Sequence, residues 1–179
     1  MWSGTKNEKF SISNAYHNIR EIGSSSGGES SNRSGMKQVW KCIWDLKLPN
    51  KIRSFAWRAY REALATKSNL KKRQITKDDI CTQCGKEPKT SVHLFWFYDE
   101  VKEVWSNNKT VFPFSIDSKW SFVDVVWQLV QHRSIFSGLM EKVLSLCWEI
   151  WKDKNTVRHK GGQHVGKAMV KSLASLVEE

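Results

Sequence analysis

Residues 79–105 read DICTQCGKEPKTSVHLFWFYDEVKEVW, and how this stretch is read decides the fold. Cys81 and Cys84 stand at C-x-x-C spacing, a short polar loop follows, and then comes His93. Two thiolates two residues apart on a tight turn can grip one metal ion with both sulfurs. A tetrahedral ion such as zinc then needs two more N, S or O ligands. His93 supplies a third. Five residues on, where a fourth ligand is expected, the chain has Tyr98. A phenol is a poor zinc ligand at neutral pH, because it must first lose a proton whose ordinary pKa is about 10. Asp99, Glu100, Glu87 or a water are the alternatives, and a metal-free turn whose cysteines only pack is the plain one. An open position holding water is the pattern of catalytic zinc, but no paired general base accompanies this turn. A dithiol redox role likewise lacks a strand–turn–helix setting.

Outward from the turn, the pattern is helical. Residues 36–48 place Val39, Trp40, Ile43 and Trp44 at helical spacing, and Pro49 stops that helix. Asn50 is a candidate N-cap for the next, whose stripe of Ile52, Phe55, Ala56, Ala59 and Ala63 should pack on its predecessor as a hairpin. Residues 69–80 form a basic connector anchored by Leu70 and Ile75. Beyond the turn, the expectations are a helix from about Asp99 to Trp105 and one capped by Ser121. A long helix from Ser137 or Gly138 and a last amphipathic helix carrying Met169, Leu173, Leu176 and Val177 complete the set. Before all of these, residues 10–22 suit a short extended segment and a helical turn, and the Gly/Ser-rich residues 23–35 read as a linker.

The 179 residues carry a formal charge of +11, which points to a polyanionic partner, RNA or DNA before an anionic membrane surface. No window approaches the roughly 18 apolar residues of a membrane span, and the opening MWSGTKNEKF lacks the apolar core of a secretory signal. A nuclear or cytoplasmic, non-secreted protein is expected, with Cys42, Cys81, Cys84 and Cys147 reduced. Between residues 49 and 79, nine Lys/Arg face three acidic residues. Lys51, Arg53, Trp57, Arg58, Arg61, Lys71, Lys72 and Arg73 are the candidate nucleic-acid-binding residues. Arg53, Trp57 and Arg61 fall at i, i+4 and i+8, so the indole could stack a base while the guanidiniums hold phosphates. Most of the ten tryptophans sit on apolar faces and read as core, with Trp148 and Trp151 reserved for a surface role. Cys42 and Cys147 lie on apolar stripes and read as small hydrophobes.

Taken together, these segments resemble the zinc-binding domain that follows the reverse transcriptase in plant non-LTR (LINE-type) retrotransposons. The pieces that carry the resemblance are FSISNAYH at 10–17, VWKCIWDLKLPNKIRSFAWRA at 39–59, LATKSNLKKRQI at 64–75 and CTQC…HLFWFYDEVKEVW at 81–105. LCWEIWKDKNTVRHKG at 146–161 looks like the helical tail that leads toward an RNase H domain. The resemblance implies metal ligands at Cys81, Cys84 and His93, with the family's fourth cysteine replaced by Tyr98. The fold class it implies is mainly α: a small helical domain with a zinc-finger-like Cys-x-x-Cys…His turn (36–112) and a C-terminal helical extension (113–179). It implies a nonenzymatic zinc-binding module that contacts RNA or DNA, with the reverse transcriptase or RNase H domains of a parent element as further partners. The rival expectation is a structural or protein-interaction remnant that ignores nucleic acid. No aspartate pair suggests a polymerase palm, and the residues after Gly161 are too few for an RNase H fold.

Overall fold

A computed structural model describes residues 30–160 of the chain. The expected N-terminal segment, linker residues 23–29 and the last amphipathic helix lie outside the described residues; residues 30–35 of the expected linker instead open a helix that continues to Trp44. The chain divides into two compact units, residues 1–38 and 39–179, and the described part of the first is the opening of a helix. Six α-helices and one π turn are described: α1 (Ser30–Trp44), α2 (Asn50–Tyr60), α3 (Lys67–Lys72), the π turn (His93–Phe97), α4 (Asp99–Asn107), α5 (Phe122–Gln131) and α6 (Leu139–Lys160). Among the described residues there is no strand, only an isolated antiparallel bridge between Ile80 and Pro88. The mainly helical expectation holds.

The core of the second unit is built on α2, which packs on α5 and α6. Ile52, Phe55, Ala56 and Ala59 are fully buried, and the two alanines allow close helix approach. Against them lie Val125, Val126 and Leu129 of α5 and Val143, Leu144, Cys147 and Ile150 of α6. The expected α1–α2 hairpin is therefore not the main contact of α2. The link to α1 runs instead through Arg53, whose Nη1 donates to the Trp44 carbonyl at 2.8 Å with the guanidinium 5.6 Å from the Trp44 ring centre. Nor does Asn50 cap α2: Pro49 holds the N-cap position, and the Asn50 side chain accepts a hydrogen bond from Arg53 Nη2.

Phe55 anchors the aromatic core, meeting Phe95 edge-on at 5.9 Å, Trp148 at 5.5 Å and Trp151 at 6.4 Å. Trp148 and Trp151 pack on α2 and are half-buried, so only part of each indole is left for the surface role expected of them. Trp40 and Trp127 are the exposed tryptophans among the described residues, at 48% and 39%. α5 starts as its sequence predicts. Ser121 and Asp124 form a reciprocal capping box that satisfies two N-terminal amides.

Candidate metal centre and basic surface

The connector that leads into the metal turn is held by polar contacts rather than by its apolar residues. Ile75, an expected anchor, is 65% exposed. Thr66 caps α3 by accepting from the Asn69 amide at 3.3 Å, and buried Asn69 donates through Nδ2 to the Leu64 carbonyl and to Glu62 Oε2, at 3.1 and 3.2 Å. Glu62 Oε2 also accepts from Ser91 Oγ at 3.3 Å, and its Oε1 from the Phe122 amide at 3.2 Å. One carboxylate therefore ties together the connector, the start of the turn before His93 and the positive N-terminus of α5. Its partners stand 7, 29 and 60 positions away, so no local pattern announces the role.

Residues 79–89 close into a small loop. The Lys89 amide donates to Asp79 O at 2.7 Å, Cys81 N to Glu87 O at 2.8 Å and Gly85 N to Cys81 O at 2.8 Å. Gly85 sits at φ +66°, a left-handed conformation that costs glycine little. The loop brings the donor atoms of Cys81, Cys84 and His93 within 4.8 Å of one another, with Cys84 Sγ 3.6 Å from His93 Nε2. Backbone amides of Glu87 and Lys86 point at the Cys84 sulfur and lower its pKa, favouring the thiolate. Burial lowers the pKa of His93, keeping its imidazole in the neutral form that binds metals. The Cys84 sulfur held toward its thiolate, the Cys81 sulfur beside it and one neutral imidazole, gathered on a glycine turn, fit three positions of a zinc ion.

The π turn was not foreseen in the sequence. In an α-helix residues five apart lie about 140° apart around the axis. A turn widened to five-residue hydrogen bonding brings them closer to one side. His93 and Tyr98 are such a pair, and the Tyr98 hydroxyl lies near enough to Cys81 and Cys84 to feel their charge. Burial, followed by Glu100 and the two cysteines, pushes its pKa up to about 12. Tyr98 is therefore a protonated phenol beside the cluster, covered by α6. Lys154 Nζ lies 3.8 Å from its ring centre and donates to Glu100 Oε2 at 3.0 Å. The π turn is held from behind by Trp105, whose Nε1 donates to Phe95 O at 2.7 Å and whose ring stacks on Trp96 at 5.8 Å.

The candidate nucleic-acid-binding residues divide into two groups. Lys51, Arg58, Lys72 and Arg73 are exposed and make no ion pair among the described residues. Arg53 is turned back onto Trp44, and Lys71 pairs with Asp79 at 2.8 Å. Trp57 stacks on Tyr60 at 5.6 Å, with the Arg61 guanidinium 5.9 Å from its ring centre. The expected Arg53–Trp57–Arg61 row is thus interrupted at Arg53. No helix of the described residues is long and apolar enough to cross a membrane.

A helical core with a Cys-Cys-His cluster on a tight loop defines a small metal-binding module of the zinc-finger kind. Residues 10–105, over half of the chain, match the family described as zinc-binding in reverse transcriptase, and the chain belongs to that family. It is also similar to the protein of Arabidopsis thaliana named "Putative ribonuclease H protein At1g65750", at 20% identity over 95 residues. That alignment covers 52% of this chain and 14% of the relative, so the chain spans only a small part of the relative's length. No solved structure matches it. The kinship expected from the CTQC…HLFWFYDEVKEVW motif is borne out, and with it a cluster able to hold a metal ion.

Proposed function

We infer that the chain is a nonenzymatic, retroelement-derived module in which Cys81, Cys84 and His93 bind zinc and a basic surface holds RNA or DNA. We read residues 36–112 as the family domain and 113–179 as a tail whose α5 and α6 pack on its core. The observation that carries the nucleic-acid reading is the group of exposed cations Lys51, Arg58, Lys72 and Arg73 without carboxylate partners among the described residues. Such cations gain most by displacing the counterions of a phosphate backbone. Contacts of this kind position a strand without reading its sequence. The expected setting is the nucleus or cytoplasm, where such a strand is found.

Electrophoretic mobility shift across a salt series tests this. Binding to single-stranded RNA and DNA should fall steeply with salt and depend little on sequence. The double substitution Lys72→Gln/Arg73→Gln should reduce the slope of log K against log salt by about 2. Failure to shift any nucleic acid at low salt would overturn the reading.

A further inference from the structure

Beside the metal turn lies a cavity of about 320 Å³, bounded by α3, the loop before the π turn and α6. Its size is at the small end of the ~300–1,000 Å³ range of ligand clefts. Lys67, Lys89 and Lys154 line it, together with Trp151, Asn155 and Thr82, the residue that follows Cys81. No carboxylate is among its lining residues. Lys67 and Lys154 do pair with Asp78 and Glu100, but those acids stand outside the lining. Lys89 makes no ion pair among the described residues. Lys89 also lies close enough to Lys154 to disfavour its protonation, adding to the larger effect of burial. A cavity lined by three lysines and no carboxylate, one of them without an ion pair among the described residues, is a site for an anion. An inorganic anion alone would leave much of this space empty, and the half-buried indole of Trp151 offers an aromatic wall beside the Asn155 amide.

We propose that this cavity binds a nucleoside monophosphate, with its phosphate at Lys89 and its base against Trp151. The ligand is either a free nucleotide or the 5′-phosphorylated end of a strand, since both present the same group. The Asn155 amide, which can donate and accept, is placed to meet a base edge. The cavity is lined by residues other than the exposed cations of α2 and the end of α3, so it does not require the strand-binding surface.

Isothermal titration of the full chain with adenosine 5′-monophosphate, inorganic phosphate and adenosine tests the site. The monophosphate should bind at least tenfold more tightly than either fragment. Lys89→Gln should weaken it at least fivefold without lowering the melting temperature, and Lys89→Arg should restore it. Arg58→Gln/Lys72→Gln should leave it unchanged while weakening the mobility shift, so that the cavity and the strand surface can fail separately. Competition by 5′-phosphorylated but not unphosphorylated oligothymidylate would identify the strand end as the source, and no competition by either the free nucleotide. Nucleotide binding no tighter than phosphate, or unaffected by Lys89→Gln, would overturn the proposal.

Discussion

Substituting cysteine for Tyr98 separates packing from ligation at the metal turn. The ring is buried, with the Lys154 ammonium 3.8 Å from its centre. Truncating a buried aromatic to alanine costs about 3–5 kcal/mol. A thiol keeps part of the volume, so Tyr98→Cys should cost roughly 2–3 kcal/mol, of which about 0.5–1 kcal/mol is the cation–π contact. At roughly 3–4 °C per kcal/mol for a unit of this size, the zinc-free variant should melt about 6–12 °C below the parent. The compensating effect exists only with metal. If a fourth thiolate tightens zinc binding about a hundredfold, it adds about 2.7 kcal/mol wherever free zinc exceeds both dissociation constants. The zinc-induced rise in melting temperature should therefore be larger in the variant by roughly 8–11 °C, read by scanning fluorimetry in chelator and in buffered zinc. Tyr98→Phe is the control, because a hydroxyl with its pKa pushed up to about 12 stays protonated and its removal should leave the zinc response intact. Equal zinc-induced rises in the parent and Tyr98→Cys would refute the reasoning. Loss of the zinc response in Tyr98→Phe would show that the phenolate is a ligand after all.

Three further outcomes can be checked on the same protein. Glu62→Ala strips the Ser91 hydroxyl and Phe122 amide of their charged acceptor, and urea denaturation should show a loss of about 2–4 kcal/mol. Glu62→Gln should lose less, since its carbonyl oxygen can still accept, and losses below about 0.5 kcal/mol in both would deny Glu62 its tying role. Phe55→Ala removes the ring shared by Phe95, Trp148 and Trp151 and should cost about 3–5 kcal/mol; a loss under 1 kcal/mol would show that the aromatic core is not centred there. In chelated protein, Cys84 should be alkylated first and from lower pH, because backbone amides lower its pKa. Cys147, fully buried with its pKa raised by that burial, should resist until denaturant is added, which mass mapping of a time course would reveal or contradict.

What could be read from the sequence was local. The stripe of Ile52, Phe55, Ala56 and Ala59 follows the helical repeat, and the Ser121 cap depends on a residue three positions away. Cys81, Cys84 and His93 could likewise be picked out, because a metal turn is written within a dozen residues and its chemistry is borne by residue type. Which face meets which is settled only when helices distant in sequence come together. That step set the half-buried Trp148 and Trp151 against Phe55 and turned Arg53 back onto Trp44. It also made Glu62 the tie between three segments and laid Lys154 over Tyr98. Long-range hydrogen bonds and cation–π contacts have no sequence period, because their partners are chosen by the packing of whole helices. The sequence by itself determined a helical protein with a three-ligand metal turn. Only the tertiary structure decided that Tyr98 stands beside that turn as a packed phenol, because burial against α6 fixes the ring there and raises a pKa that already keeps the phenol protonated at neutral pH.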